Sequence, residues 1–140
     1  MTENEYFETL RDVLHPPLRD GRKNVGGHFV IEEKDQKPFA LNVSGLGGHE
    51  AIKLESMKPD WPCFRGAHRF AHRRCDRIVV AWNKTKGVPQ FLLVELKSGN
   101  SAGARAQLGA SLAFCQFLHH MVCVGQENPP KPEFSAVTVS

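Results

Sequence analysis

The end of one apolar segment carries the residue types in this chain best suited to chemistry. Residues 91 to 94 read Phe-Leu-Leu-Val, which predicts a buried strand, and Glu95 and Lys97 follow directly. Side chains two residues apart along a strand point to the same face, so these two project together with Cβ atoms about 6.5 to 7 Å apart. By itself the pair predicts a salt bridge at a strand end, since short motifs occur easily by chance.

A second carboxylate changes this interpretation. Asp76 precedes the apolar run 77 to 82, and the connection "NKTKGVP" predicts a hairpin between that run and residues 91 to 97. An antiparallel hairpin brings the start of one strand beside the end of the other, so we expect Asp76 to lie next to Glu95. Two carboxylates suit Mg²⁺ or Mn²⁺, which can polarise a phosphoryl oxygen and lower the pKa of a bound water. Lys97 could orient that water or stabilise charge on the phosphate, and this is the chemistry of phosphodiester hydrolysis.

The spacing of these residues resembles that of the PD-(D/E)XK nuclease superfamily. Asp76 is followed 19 residues later by Glu95-Leu96-Lys97 at the end of a hydrophobic strand, and Gln107 lies on the next predicted helix. The resemblance implies that Asp76, Glu95 and the Leu96 carbonyl are metal ligands. It also implies that Lys97 is the catalytic lysine and that Gln107 supports the site or contacts the substrate.

The resemblance rests on motif from residue 75 to residue 108 and on topology elsewhere. Cys75 stands where the family's nominal proline would precede the aspartate. Some members supply a further glutamate from the first helix. Glu5 or Glu8 could serve here, and nothing in the sequence selects between them.

The elements that must position these side chains follow from hydrophobic periodicity and turn residues. We predict helices over 3 to 14 and 104 to 122, and strands over 28 to 33, 38 to 43, 50 to 56, 77 to 82, 91 to 97 and 134 to 140. This pattern predicts a single α/β (α+β) domain, 1–140, with a central mixed sheet flanked by helices in the order helix–strands–helix–strand. The resemblance implies a restriction-endonuclease-like core.

Two further expectations concern the second half of the chain. The last section of the second helix is apolar nearly all round, which predicts that it is well buried. The final strand is expected at an edge of the sheet. The runs 77 to 82 and 91 to 97 are near-continuously apolar, as is typical of central strands covered on both faces.

A basic cluster lies immediately before Asp76. Its members fall within thirteen residues and are Arg65, Arg69, Arg73, Arg74 and Arg77, interleaved with His68 and His72. Such a cluster can neutralise phosphates, so we expect contact with a nucleic-acid backbone; a solvated surface is the commoner alternative for a charge run.

The same stretch contains potential zinc ligands. Cys63, His68, His72 and Cys75 have the spacing C-x4-H-x3-H-x2-C, which a structural zinc site could accept. The closely spaced C-x2-C knuckle is missing, and Cys75 would have to bind zinc while its neighbour Asp76 serves another metal. Zinc binding here is therefore the weaker alternative.

These observations predict a Mg²⁺- or Mn²⁺-dependent nuclease that hydrolyses nucleic acid, with DNA favoured over RNA. The resemblance implies a role in phage defence, restriction or repair. The alternatives are a catalytically inactive binding or interaction module on the same fold, and a zinc-stabilised nucleic-acid-binding protein. The polar, acidic first residues are not a secretory signal, and no apolar run would span a membrane, so we expect a cytoplasmic protein. A homodimer or a regulatory partner protein would supply surface that one small domain lacks.

Overall fold

The computed structural model describes residues 1–19, 29–33, 39–43, 49–53, 75, 77–96 and 104–139 of the 140-residue chain. In chain order its elements are helix α1 (Glu3–Val13), a short 3-10 helix (Pro16–Leu18), strands β1 (Phe29–Glu33), β2 (Phe39–Val43), β3 (His49–Ile52), β4 (Arg77–Asn83) and β5 (Val88–Leu96), helix α2 (Ala104–Val122) and strand β6 (Glu133–Val139). Wherever the structure describes them, the predicted helices and strands are confirmed. Among the described residues, neither helix combines the length and apolar character needed to cross a membrane.

Four of these strands form one mixed sheet in the order β3-β4-β5-β6. Neighbours β3 and β4 are antiparallel, as are β4 and β5, whereas β6 returns parallel to β5 after α2. Strands β1 and β2 form a separate antiparallel pair. The α+β class, the mixed sheet and the order of helix, strands, helix and strand are therefore confirmed, and β6 lies at the end of the strand order as predicted.

Helix α1 begins at a capping box that the sequence "MTENE" encodes. The Thr2 hydroxyl oxygen accepts a hydrogen bond from the Glu5 backbone N–H, and the Glu5 carboxylate accepts one from the Thr2 backbone N–H. Tyr6, Phe7 and Leu10 form its buried face. The helix ends before the Pro-Pro pair that opens the 3-10 helix.

The β4–β5 hairpin was predicted from its turn sequence and is confirmed. Its ladder runs from Arg77 opposite Val94 to Asn83 opposite Val88. The Gly87 N–H donates to the Asn83 carbonyl oxygen over 2.7 Å, and Gly87 has φ of +66°, a conformation that glycine adopts without strain. The hairpin fixes which residues of the two strands lie side by side at its open end.

Both described helices pack on the same face of the sheet, so the expectation of helices flanking the sheet holds for one face in this part of the chain. That face presents Ile52 of β3, Ile78 and Val80 of β4, and Phe91 and Leu93 of β5. It is covered by the buried faces of α1 and α2 in one hydrophobic cluster. The opposite face of the two central strands is buried as well, at Val79 and Val94. Burial on both faces explains why the two central runs are almost purely apolar.

Helix α2 runs antiparallel to β5 above this face. Ser111 lies beside Cys75, near the end of β5, and the His119 ring lies edge-on to Phe91, whose centroid is 6.3 Å away. The prediction that the last section of this helix is well buried is wrong in part. Phe117 and Met121 are 56% and 43% exposed, because only one flank and the underside of the helix meet the rest of the protein.

Candidate functional site

The candidate site lies where β5 ends and β4 begins. The ladder pairs Arg77 with Val94, so Glu95 is the next residue of β5 beyond the last pair of the hairpin. Alternation along the strand places Glu95 on the face of Phe91 and Leu93, the face covered by the helices. Glu95 is only 2% exposed.

Burial of the ionised Glu95 carboxylate carries a desolvation free-energy cost. Moving an ionised carboxylate out of water costs several kcal/mol, roughly, unless cations or hydrogen-bond donors face it. An apolar residue would fill the same volume without that cost. The position of this carboxylate therefore calls for an explanation beyond packing.

The start of β4 is held against α2 by a hydrogen bond across 36 residues of sequence. The Cys75 backbone N–H donates to the Ser111 Oγ over 2.7 Å, and both residues are buried. The Cys75 thiol donates to the Arg77 carbonyl oxygen over 3.3 Å. These bonds fix the residues on either side of Asp76, which itself lies outside the described residues.

Gln107 lies one helical turn before Ser111. Because α2 passes from Gln107 past Ser111 at Cys75 to His119 at Phe91, Gln107 lies toward the end of the sheet where β5 exits. Its side-chain oxygen Oε1 is buried, and in the described part of the chain nothing donates a hydrogen bond to it. A buried acceptor in that state costs about 1 to 3 kcal/mol, so a donor at this place would be stabilising.

Two residues of this region were missed by the sequence analysis. Ser111 is a serine on the otherwise apolar buried face of α2, and that mismatch was the available signal. Thr138 is the partner of Glu95 in the parallel β5–β6 register and is exposed. No local pattern could have indicated Thr138, because the pairing joins distant segments.

Several predicted site residues lie outside the described part of the chain: Asp76, Lys97, Arg65, Arg69, Arg73, Arg74, His68, His72 and the zinc candidate Cys63. Leu96 is the last residue of β5, and only its backbone is described. Within the described residues, no group of three or more His, Cys, Asp or Glu side chains could hold a metal ion. Asp76 is not among those residues.

Arg77 is the member of the predicted basic cluster that lies within the described residues. It is 5% exposed and occupies the face of β4 opposite to Ile78 and Val80, whereas Glu95 lies on the same face as those two. The prediction of phosphate contact assumed a solvent-facing arginine, and the structure places this charge in the interior.

A second group of buried polar residues joins α1 to the C-terminal half of α2. The Tyr6 hydroxyl lies 2.8 Å from His119 Nδ1, and the Cys123 Sγ lies 3.7 Å from His119 Nε2. Burial lowers the pKa of His119, although a hydrogen bond to the Pro130 backbone acts in the opposite direction. Burial also raises the pKa values of Tyr6 and Cys123, so all three side chains are held neutral near pH 7.

Comparison with protein-family models, with curated proteins and with solved structures gave no match for this chain.

Proposed function

We propose that this protein is a metal-dependent nuclease that hydrolyses phosphodiester bonds of nucleic acid, with DNA favoured over RNA. The fold we propose for it is the restriction-endonuclease-like core of the PD-(D/E)XK superfamily, and the roles that this resemblance implies are phage defence, restriction or repair in the cytoplasm. The observation that carries the proposal is the buried Glu95 carboxylate at the end of β5, on the face covered by α2.

Topology supports the choice of family. One helix precedes an antiparallel meander of β3, β4 and β5, and a second helix then leads to β6 parallel to β5. This is the order of helix, three strands, helix and strand expected of the superfamily core. The buried glutamate lies on the third strand of that meander, as the motif requires.

Covalent geometry supports the convergence of the predicted site residues. Asp76 is bonded to both Cys75 and Arg77, and each peptide link keeps its Cα about 3.8 Å from theirs. Lys97 is bonded to Leu96 in the same way. Arg77 and Leu96, which are described neighbours of these two residues, lie at the open end of the β4–β5 hairpin.

The donor set fits a hard divalent cation. Glu95, Asp76 and the Leu96 carbonyl would supply oxygen ligands, which Mg²⁺ and Mn²⁺ prefer. Gln107 Oε1 has no donor among the described residues and could accept a hydrogen bond from a metal-bound water or from the substrate. Water on a bound metal would therefore supply the missing donor. When bound, such an ion polarises a phosphoryl oxygen and lowers the pKa of its water.

The chain's own residues would do the rest. Lys97, two residues after Glu95 in the sequence, would orient the attacking water or stabilise charge on the phosphate. Ser111 would fix the backbone at Cys75 and hence the approach to Asp76. The arginines and histidines between residues 65 and 74 would guide the phosphate backbone toward this end of the sheet.

The test is cleavage of plasmid, single-stranded DNA and RNA in Mg²⁺ or Mn²⁺, with and without EDTA. Removing the metal, or introducing Asp76→Asn, Glu95→Gln or Lys97→Met, should each lower the cleavage rate more than about 100-fold. Glu133→Gln is the matched control, because Glu133 is a carboxylate at the other end of β6, paired with Lys86 on the surface. It should cleave like the wild type.

Two results would overturn the proposal. If the three site variants cleave at the wild-type rate, these residues are not catalytic. If the wild type binds DNA but cleaves nothing in any divalent metal, the inactive binding module is the better description.

A further inference from the structure

The two edge strands of the four-stranded sheet, β3 and β6, differ in whether other backbone covers their outer side. At the β3 edge, Arg19 forms an antiparallel bridge with Ile52, and the Lys53 N–H donates to the Leu18 carbonyl oxygen over 2.7 Å. Arg11 and Arg19 also hold Glu50 with N–O distances of 3.0 and 2.8 Å. This edge is covered by the segment that follows α1.

The β6 edge has no such cover. In the described part of the chain no strand pairs with its outer side, and residues 135 to 138 are exposed. The run from Phe134 to Val139 contains no charge, proline or glycine. Sheet edges that remain open in solution are normally protected by lysines, prolines or bulges, so an unprotected edge of this composition is suited to pairing with another strand.

Helix α2, which packs on β5 and β6, has an exposed apolar flank. Tyr6 contacts His119, which places α1 against one flank of α2. With about 100° between successive residues, Phe117 and Met121 fall on the flank opposite to His119. The open strand edge and this apolar flank therefore belong to neighbouring elements.

We propose that a second copy of this chain docks on this surface through an antiparallel β6–β6 pair about a twofold axis. The product is a continuous eight-stranded sheet with two α2 helices side by side. This docking surface consists of the outer edge of β6 together with Phe117 and Met121. The proposal does not depend on nuclease activity.

Spacing within sheets supports this arrangement. Neighbouring strands lie about 4.8 Å apart, so the two copies of β5 would be about 14 Å apart and helices above the β5–β6 gap about 10 Å apart. Helices pack at about 8 to 10 Å. Pairing of the edges therefore brings the two α2 flanks to packing distance, where Phe117 and Met121 can close the seam.

Charge explains why the occupant is a second copy. In a twofold interface a surface meets itself, so any charge near the axis repels its own copy. The strand carries none between Phe134 and Val139, and its one charged residue, Glu133, is paired with Lys86 at the far end. The apolar flank likewise finds an apolar partner in its own copy.

The experiment is sedimentation velocity on the full chain from about 1 to 100 µM, the range in which interfaces of modest area dissociate. The wild type should approach twice the 15.6 kDa chain mass. Val137→Lys and Phe117→Glu should each weaken dimerisation at least about tenfold, by charge repulsion across the axis. Val13→Lys is the matched control, because Val13 on α1 is 40% exposed and Val137 is 36% exposed.

Thermal unfolding checks that each variant is folded, and amide hydrogen exchange gives a second measurement on the wild type. Exchange in residues 133 to 139 should slow as protein concentration rises. A wild type that stays monomeric at the highest concentration overturns the proposal. The proposal is also overturned if dimers persist in both surface variants, or if Val13→Lys weakens dimerisation as much as they do. Assemblies larger than a dimer, or an exchange rate in β6 that does not change with protein concentration, would overturn it as well.

Discussion

Two groups of buried polar side chains lie on the same face of the sheet, under opposite halves of α2. Under the C-terminal half, Tyr6, His119 and Cys123 lie within hydrogen-bonding reach of one another. Under the N-terminal half, the structure buries Glu95 and leaves the Gln107 Oε1 without a donor in the described residues. Tyr6, His119, Cys123 and Glu95 are buried, whereas Gln107 is half-buried and only its Oε1 atom is shielded from solvent.

The difference teaches how buried polar residues can be interpreted. A neutral group whose donors and acceptors match fixes the relative positions of two helices, and its removal should affect stability. A buried carboxylate costs stability unless donors or cations face it, and a buried acceptor without a donor among the described residues also costs stability. The first group is therefore structural and the second is the candidate for function.

The largest expected effect on stability comes from removing the Tyr6 side chain from the structural group. Tyr6→Ala removes a fully buried ring that contacts Phe7, Trp82 and His119. Loss of the ring and the resulting cavity should lower the free energy of unfolding by about 3 to 5 kcal/mol. Urea unfolding followed by circular dichroism measures this. A loss below about 1 kcal/mol would show that the region repacks and is not the anchor described here.

Glu95→Gln should have little effect on stability but should abolish stabilisation by Mn²⁺. Glutamine keeps the shape and hydrogen-bonding capacity of the side chain, so the melting temperature should fall much less than in Tyr6→Ala. Mn²⁺ at saturating concentration should raise the melting temperature of the wild type but not of the variant, because only the wild type retains the ligand. A strongly destabilised Glu95→Gln protein would instead make Glu95 a structural residue, and the contrast between the two groups would fail.

Ser111→Ala tests the boundary between the groups, since Ser111 lies between them on α2. The variant leaves the Cys75 N–H buried without its acceptor, which should cost about 1 to 3 kcal/mol. If Ser111 also positions the metal site, Mn²⁺ affinity should fall about 10- to 100-fold at a temperature where the protein is folded. Titration calorimetry measures the affinity.

The control for that variant is Ser135→Ala, an exposed serine on β6. It should change neither stability nor affinity. If Ser111→Ala loses stability but binds Mn²⁺ like the wild type, then Ser111 holds the strand without contributing to the site.

The sequence predicted the part of this contrast that depends on local patterns. The hairpin follows from two apolar runs and Gly87 between them, and it puts Glu95 at an open sheet end. The start of β5 was placed three residues late because Pro89 interrupts the apolar run. Proline is tolerated there because β6 pairs with β5 only from Gln90 onward, so no ladder bond is lost on that side.

The remainder depends on contacts between distant segments. The Ser111–Cys75 bond and the Tyr6–His119 bond span 36 and 113 residues, and no periodicity encodes either. The exposure of Phe117 was missed for a related reason: an all-round apolar helix predicts full burial only if both of its flanks have neighbours. Here one flank faces solvent in the single chain.

The smallest expected effect is a pH dependence that belongs to the structural group alone. The Tyr6 hydroxyl lies 2.8 Å from His119 Nδ1, so the neutral ring forms a buried hydrogen bond with it. Burial lowers the pKa of His119 below its ordinary value of 6.5. The unfolded chain therefore binds a proton more readily, so stability is full above about pH 6.5 and is lost as pH falls through the folded pKa.

Melting temperatures between pH 7.5 and pH 5 measure this effect. The carboxyl pKa values of Glu5 and Glu133 are lowered from 4.5 by hydrogen bonds to Thr2 and Lys86, so their contributions are lost only at lower pH and lie outside this window. His119→Asn keeps an acceptor for Tyr6 but cannot be protonated, so it should flatten the slope. His120→Asn removes only one of the smaller causes that lower the pKa of His119, so it should leave most of the slope in place. Protonation of His119 would place a positive charge in a site with only neutral partners, which is why stability should fall with pH. If the pH dependence of the melting temperature persists in His119→Asn, it belongs to another group.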